Sequence, residues 1–171
     1  MNEKPLTNDE IDFVIQRIDV KSYKEENERC VLVIDDDKWM HEIIQSYLAG
    51  MGFSLLKAYD PVDGLALAVK HRPVLIILDI ILPKMKGDVI LNLLKKINTT
   101  SSIPVITISG YFNMEVLLNA FKCGATGFLT KPFTRESLLQ RIEECLCPPV
   151  FTTYGSNEIL QKGKIRYKMK N

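Results

Sequence analysis

Five short apolar runs alternate with helical patterns between residues 30 and 147, and this alternation constrains the fold more than any other feature of the sequence. The third run, residues 74–78, is apolar at every position, as expected of a strand that is buried on both faces. Strands that alternate with helices favour a parallel sheet covered by helices on both sides. The sequence therefore predicts an α/β fold of three layers, built on a doubly wound, five-stranded parallel sheet. The strands are expected at residues 31–34, 53–58, 74–78, 105–108 and 126–130.

Local signals mark where helices begin and end between these strands. Asp60 can cap a helix, and Pro61 suits the first helical position. The first helix of the pattern is expected to end at Gly50 and Gly52, and the last helix to start near Thr134. Between the fourth and fifth strands, the spacing predicts a helical stripe made of Met114, Leu117, Leu118 and Phe121.

Two segments lie outside the alternating pattern. Residues 8–20 are predicted to form a short helix with an apolar face. That face needs to be covered by the rest of the chain or by a second chain, and the second case would make a dimer. The expected organisation is an N-terminal helical extension with a linker at 1–28, a globular domain at 29–148 and a basic tail at 149–171.

Composition bears mainly on location and general partners. The formal net charge of +1 gives no overall attraction to nucleic acid or to acidic membranes. No apolar run approaches the roughly 20 residues needed to cross a bilayer, so we expect a cytoplasmic chain without membrane contact. The four cysteines are expected to be reduced thiols. His41 and His71 are both expected to lie at the surface.

Polar residues stand at the ends of four of the five predicted strands. Asp35, Asp36 and Asp37 follow the first strand, Asp79 the third, Ser109 the fourth and Lys131 the fifth. In a doubly wound sheet, reactive groups gather beyond the carboxyl ends of the strands, where the strand order reverses. The pattern therefore predicts that these side chains converge on one pocket.

The chemistry of these groups is that of phosphoryl transfer. Clustered carboxylates such as Asp35 and Asp36 are suitable ligands for Mg²⁺ or Mn²⁺, which prefer oxygen atoms. Asp79 could share the ion and act as a nucleophile, because carboxylates form aspartyl phosphates. The Lys131 ammonium and the Ser109 hydroxyl could then stabilise the charge of the transferred group.

With these motifs, the chain resembles the receiver domains of two-component response regulators, of the single-domain type found in chemotaxis regulators. The resemblance covers roughly residues 29–147 and is carried by the segments VLVIDDD, LIILDIILPKMKGD, PVITISG and GFLTKPF. It implies a flavodoxin-like strand order of 2-1-3-4-5. It also implies a set of site residues: Asp35 and Asp36 as metal ligands, Asp79 as phosphoacceptor and metal ligand, the Ile81 backbone carbonyl as metal ligand, Ser109 as switch hydroxyl, Phe128 as switch aromatic and Lys131 as phosphate-binding lysine.

The resemblance implies a function in signalling, with no activity as an enzyme beyond self-catalysed transfer and loss of the phosphoryl group. A histidine kinase or a histidine phosphotransfer domain would donate the group to Asp79. Ser109 would then move towards the phosphate, Phe128 would turn inward, and the changed surface would bind a downstream protein target. Because no helix-turn-helix motif follows the domain in this sequence, DNA binding is expected to be unlikely.

Two alternatives use the same residues. A haloacid-dehalogenase-like phosphatase would use Asp35 as nucleophile, with Ser109 and Lys131 in supporting roles. It would also need an acidic metal ligand on a strand after the lysine, where this chain has glutamates only in a predicted helix. A degenerate receiver that only binds partners is the other alternative, and the complete set of acids, hydroxyl and lysine argues against it.

Overall fold

The computed structural model describes residues 29–83, 85–111 and 113–147. The predicted N-terminal helix and the basic tail lie outside these described residues. The elements follow one another in strict alternation: β1 Cys30–Ile34, α1 Lys38–Leu48, β2 Ser54–Ala58, α2 Pro61–His71, β3 Leu75–Asp79, α3 Gly87–Lys96, β4 Val105–Ser109, α4 Met114–Lys122, β5 Gly127–Thr130 and α5 Arg135–Leu146.

The five strands form one parallel sheet in the order β2-β1-β3-β4-β5, so the predicted order is confirmed. The register pairs Ile34 with Leu78 across β1 and β3, and Asp79 with Ile108 across β3 and β4. The order reverses between β1 and β3, and the residues just beyond their carboxyl ends therefore face a crevice between neighbouring loops. This edge of the sheet is the place where the predicted site residues meet.

Apolar side chains cover both faces of the sheet, as the apolar third run predicted. All five residues of β3 are buried. One face packs against α2, α3 and α4 in a cluster that includes Leu78 and Leu94. The other packs against α1 and α5 in a cluster that includes Ile77 and Leu138. Asp79 is the last residue of β3, one position beyond the predicted end, so the strand's own hydrogen bonds help to hold its main chain.

The predicted helix starts are confirmed in detail. The Asp60 side chain accepts a hydrogen bond from the Val62 N–H at 2.9 Å, and Pro61 occupies the first turn of α2. Thr134 caps α5 in a reciprocal pair with Ser137, in which each side chain accepts from the other's backbone N–H. Such caps satisfy N–H groups that have no partner within the helix.

Two features of the helices differ from the expectations. His41 was predicted at the surface, and this was wrong because it is fully buried on the inner face of α1. On α4, Met114, Leu118 and Phe121 are 61%, 51% and 45% exposed, so most of its apolar stripe faces away from the core. The four cysteines, all within the described residues, form no disulfide with one another. None of the helices within residues 29–147 that the structure describes has the length and apolar character needed to cross a bilayer.

Candidate functional site

Three carboxylates meet at the carboxyl ends of β1 and β3. One oxygen from each of Asp35, Asp36 and Asp79 lies within 4.8 Å of the others. Asp35 is fully buried, Asp79 is 6% exposed, and Asp36 is exposed to solvent. The apolar strands carry the two buried acids to this edge, where the chain leaves the sheet. The predicted convergence of these three acids therefore occurs.

Lys131 forms ion pairs with the two buried carboxylates. Its Nζ atom lies 2.7 Å from Oδ2 of Asp35 and 2.5 Å from Oδ2 of Asp79. The Lys131 N–H donates to the carbonyl oxygen of Ser109 at 2.7 Å, which ties the loop after β5 to the end of β4. The peptide bond to Pro132 is cis. The lysine thus reaches across the sheet edge into the acidic cluster.

Burial and charge oppose each other in this cluster. Burial raises the pKa of Asp79, and the nearby charge of Asp35 adds to that rise, against the lowering effect of the Lys131 ammonium and the Ile81 N–H. For Lys131, burial alone would lower the pKa, but hydrogen bonds and charge from Asp35 and Asp79 outweigh it, so the pKa is raised. One ammonium is shared between two buried carboxylates, and the pocket remains short of positive charge.

Main-chain contacts hold both buried acids in place. The Asp79 Oδ1 atom accepts from the Ile81 N–H at 2.8 Å. Gly87, the first residue of α3, approaches the end of β3 so closely that an added Cβ atom would lie 2.5 Å from the Asp79 carbonyl oxygen. Asp35 accepts from the Asp37 N–H at 2.9 Å through its own Oδ1 atom. The two acids are therefore fixed before any ligand binds.

Ser109 and Phe128 take no part in the ion pairs of this cluster. Ser109 is 1% exposed, and its hydroxyl donates to the Tyr111 carbonyl at 2.8 Å and accepts from the Tyr111 N–H at 3.1 Å. Phe128 is 7% exposed and packs in the same apolar cluster as Ala120. The ring already lies inward here. The predicted movements of Ser109 and Phe128 therefore remain predictions, as does the Ile81 carbonyl as a metal ligand.

Sequence reasoning missed His41, whose ring contacts the site from below. Its Nε2 atom lies 2.7 Å from the main-chain carbonyl oxygen of Asp35. A signal was present in the sequence, because His41, Ile44 and Leu48 have the 3 and 4 spacing of one helix face, and all three are buried.

The donor set fits a hard divalent cation. Asp35, Asp36 and Asp79 offer only oxygen atoms, and the buried pair lies next to a carboxylate that is open to water. Mg²⁺ usually keeps several waters and binds through one or two carboxylates, and Mn²⁺ accepts similar ligands. The cluster has the ligand type and the solvent access that such an ion requires.

Comparisons with known proteins agree on the fold and the family. The family model described as the response regulator receiver domain matches residues 31–143. The DNA-binding dual master transcriptional regulator RpaA from Synechocystis is 34% identical over 116 residues, which are 68% of this chain and 48% of that protein. The chemotaxis protein CheY4 of Vibrio cholerae superposes with a TM-score of 0.66 at 28% identity, over 70% of this chain and all of that one. A chain of the CheX-CheY-BeF3-Mg²⁺ complex from Borrelia burgdorferi gives 0.63 at 25% identity, over 67% and 87%.

The relatives overturn one expectation about partners. DNA binding was expected to be unlikely, yet RpaA is named a DNA-binding transcriptional regulator. The chain spans about half the length of the curated relatives it matches. The expectation used only the segment that follows the domain in this sequence, and that segment gives no ground for excluding DNA as a partner.

The phosphatase alternative gains no support. The family model that matches residues 31–143 is the receiver domain, and it gives no support to a haloacid-dehalogenase-like enzyme. In the described residues that follow Lys131, the chain forms α5, and Glu136, Glu143 and Glu144 lie on that helix. An acidic ligand on a later strand, which Asp35 would need as the nucleophile of such a phosphatase, is thus missing from this part of the chain.

Proposed function

Because the chain belongs to the response regulator receiver domain family, we propose that Asp79 accepts a phosphoryl group and that the phosphorylated chain signals to a protein partner. A receiver domain is a signalling module and not an enzyme in the usual sense. The observation that carries the proposal is the double ion pair from Lys131 to Asp35 and Asp79. It sets one ammonium beside a buried carboxylate at a strand end, which suits the binding of an incoming phosphate.

Asp35, Asp36 and Asp79 would hold Mg²⁺ or Mn²⁺, with the Ile81 carbonyl as a further ligand. The ion supplies positive charge that offsets the oxygens of the transferred group. The Borrelia burgdorferi complex is named for both Mg²⁺ and BeF3, and its likeness to this chain supports the proposed ion. The cluster here carries three carboxylates against one lysine, which gives the ion an electrostatic reason to bind.

A histidine kinase or a histidine phosphotransfer domain would present the phosphoryl group on a histidine nitrogen. An Asp79 oxygen attacks phosphorus, the new O–P bond forms as the N–P bond breaks, and the departing imidazole takes up a proton. Lys131 pairs with a phosphoryl oxygen, and its ammonium already lies 2.5 Å from the attacking carboxylate. A cytoplasmic location would give the chain access to such donors.

The Ser109 hydroxyl would carry the signal away from Asp79. In this structure it is engaged with the main chain of Tyr111 at the start of the loop before α4. A phosphoryl group offers strong acceptor oxygens that compete for this hydroxyl. When the hydroxyl moves, the loop loses two hydrogen bonds and can change its path, with Phe128 packed behind it.

The exposed stripe of α4 would form part of the surface that binds the downstream protein. Met114, Leu118 and Phe121 are all at least 45% exposed, and Tyr111 in the preceding loop is 60% exposed. Contiguous exposed apolar side chains often mark protein-binding surfaces. Together with β5 and α5, this helix follows the loop that Ser109 controls, so phosphorylation could alter its position.

Phosphorylation by a small donor tests the assignment of Asp79. The chain is incubated with acetyl phosphate and Mg²⁺, and bound phosphoryl is followed by intact-mass spectrometry. We expect one base-labile phosphoryl group on the native chain, none on Asp79→Asn, and on the order of 100-fold slower labelling of Lys131→Met. Chelation of the metal should stop labelling in every case.

Asp37→Asn is the matched control because Asp37 belongs to the same acidic run. Its side chain caps α1 through the Trp39 N–H instead of joining the cluster, so labelling should proceed near the native rate. Labelling of Asp79→Asn at the native rate would show that Asp79 is not the acceptor. Phosphate found on Asp35 would revive the phosphatase alternative.

A further inference from the structure

We propose that His41 is a positioning residue for the acidic cluster, acting through the main chain of Asp35. This inference rests on the proposed function, because it concerns the site at which the cation and the phosphoryl group bind. His41 is fully buried, and its Nε2 atom lies 2.7 Å from the carbonyl oxygen of Asp35. The ring touches neither the carboxylates nor Lys131 through a hydrogen bond, so its effect on them is indirect.

The hydrogen bond determines where the ring carries its proton. A carbonyl oxygen only accepts, so Nε2 of His41 carries the hydrogen and Nδ1 is left as an acceptor. Nδ1 is buried and has no hydrogen-bond partner in the part of the chain that the structure describes. A buried polar atom without a partner lowers stability, and an apolar side chain at this position would avoid that cost. Among the described residues, the hydrogen bond to the Asp35 carbonyl is therefore the polar contact that the buried ring makes.

The bonded carbonyl belongs to the peptide unit that joins Asp35 to Asp36. Rotation of this unit would turn the Cα–Cβ bond of Asp36 relative to that of Asp35, and both carboxylates belong to the acidic cluster. By fixing the carbonyl, His41 fixes the plane between two of the three acids. A misplacement of a ligand by a fraction of an ångström is enough to weaken a metal site.

The other contacts of Asp35 do not fix the plane of the Asp35–Asp36 peptide unit. The Asp35 N–H donates to Ala58 in the neighbouring strand at 3.1 Å, which fixes the peptide unit before the residue. Its carboxylate contacts the Asp37 N–H and Lys131, which fixes the side chain. The orientation of the peptide unit after Asp35 is fixed by none of these contacts, and the hydrogen bond from the imidazole fixes it.

Tyr59 keeps the imidazole itself in place. The two ring centroids are 4.5 Å apart with the planes tilted by 52°. Tyr59 follows the end of β2 and is 43% exposed, so it covers the buried histidine from the solvent side. His41 is therefore held between the helix that carries it, the strand end above it and an aromatic ring outside.

The test compares two substitutions that differ in one hydrogen bond. His41→Gln places an amide nitrogen near the position of Nε2, and His41→Met fills similar space without a donor. The dissociation constant for Mg²⁺ is measured from the fluorescence of Trp39, the single tryptophan of the chain, which is 76% exposed and close to the acidic run. We expect about tenfold weaker Mg²⁺ binding by His41→Met and near-native binding by His41→Gln. The rate of labelling by acetyl phosphate should follow the same order.

Two controls separate positioning from packing. His71→Met removes the other histidine, which is exposed on α2, and should leave Mg²⁺ binding unchanged. Ile44→Val trims a fully buried neighbour on the same face of α1 and should lower the urea midpoint without changing Mg²⁺ affinity. If His41→Met does not fold, His41→Asn serves instead, since its shorter amide superposes on Nδ1 and does not reach the Asp35 carbonyl.

Native Mg²⁺ affinity in His41→Met would overturn the inference, whatever the urea midpoint does. Equal weakening by His41→Gln and His41→Met would overturn it too, because the donor would then not be the cause. Two other results would contradict the proposed function itself and not only the role of His41. These are the absence of Mg²⁺ binding by the native chain and labelling of Asp79→Asn as fast as the native chain.

Discussion

Helices α3 and α4 pack on the same face of the sheet and have similar lengths, yet the chain treats their apolar residues differently. On α3, Ile90, Leu91, Leu93 and Leu94 are all buried. On α4, Ala120 is the one fully buried residue among those described, and Met114, Leu118 and Phe121 face outward. The comparison shows that an amphipathic pattern predicts a helix but does not predict whether the rest of the domain covers its apolar side.

Contacts at both ends explain why α3 is the better anchored of the two. Its first residue, Gly87, donates to the Ile80 carbonyl at 2.9 Å, directly after β3. Near its end, the Lys95 ammonium donates to the Ser101 and Ile103 carbonyls at 3.2 and 2.6 Å. Burial lowers the pKa of Lys95, in contrast to the raised pKa of Lys131, because Lys95 contacts carbonyls and not carboxylates.

A cavity of about 450 Å³ lies between α3 and α4 and gives α4 room to shift. It is lined by apolar side chains from both helices, with Thr107 of β4 among its other residues. Across it, the Asn119 side chain reaches Asp88 at a long 3.4 Å. A helix that is loosely held on one side, and joined to the loop of Ser109 on the other, is suited to carry a signal from the pocket.

The largest predicted difference between the helices is in what their leucines contribute to stability. Leu94→Ala should lower the free energy of unfolding by roughly 2–5 kcal/mol, because Leu94 is fully buried and its loss leaves a cavity. Leu118→Ala, the same change on a residue that is 51% exposed, should alter it by no more than about 0.5 kcal/mol. Urea unfolding of both variants measures the two values.

Comparable losses of unfolding free energy in the two variants would contradict the predicted difference between α3 and α4, since Leu118 would then be covered by part of the chain or by a second copy. A dependence of the Leu118→Ala value on protein concentration would point to the second copy. A small loss in Leu94→Ala would contradict the burial of α3 instead.

Much of the sheet edge could be predicted from local sequence. The third strand is apolar throughout, so its burial follows without knowledge of its neighbours, and the strand order then brings Asp35, Asp79 and Lys131 to one place. Their meeting depends on topology alone, and topology follows from the alternation of strands and helices.

The features that could not be predicted depend on what a side chain meets after folding. The spacing of His41, Ile44 and Leu48 indicates that His41 is buried, but its hydrogen bond to the Asp35 carbonyl depends on the fold. The Ser109 hydroxyl could have pointed to the pocket, but its partner is set by the path of the loop through Tyr111. The exposure of the α4 stripe likewise depends on where the neighbouring helix packs.

The glycines at the starts of α3 and α4 differ in how much space surrounds them. Gly87→Ala should lower the free energy of unfolding by about 1–3 kcal/mol, because the new Cβ would lie 2.5 Å from main-chain atoms of Asp79 and Ile80. It should also slow the proposed phosphorylation of Asp79, since the displaced atoms include the Asp79 carbonyl oxygen. At Gly110, before α4, an added Cβ has nothing within 4 Å. Gly110→Ala should therefore raise stability by up to about 1 kcal/mol by restricting the unfolded chain.

Opposite signs for the two glycine variants are the result that supports a rigid start of α3 and an open start of α4. If Gly110→Ala destabilises the fold as much as Gly87→Ala, the loop before α4 is more constrained than its surroundings indicate.

The ends of β3 and β4 should differ in how stability depends on pH. Burial raises the pKa of Asp79 in the metal-free fold, and a carboxyl of this kind stabilises the folded state at pH values below its unfolded pKa. That contribution is lost as the pH rises through the folded pKa. Asp79→Asn is neutral throughout, so its stability relative to the native chain should increase from about pH 4 upwards, by about 1.4 kcal/mol for each pH unit in which only the folded carboxyl is protonated.

Ser109→Ala is the comparison at the end of β4, because it removes two hydrogen bonds to Tyr111 and no charge. Its cost should be about 0.5–1.5 kcal/mol and independent of pH over the same range. Urea unfolding of the three proteins with a chelator present, in steps between pH 4 and 7, gives both curves. A flat difference for Asp79→Asn would mean that Lys131 fully compensates the buried charge, so the metal-free pocket would have no deficit of positive charge. A stability difference for Asp79→Asn that rises with pH would place that deficit of positive charge at the end of β3, beside the anchored helix α3. The end of β4, beside the loosely held α4, would then contribute to stability only through hydrogen bonds.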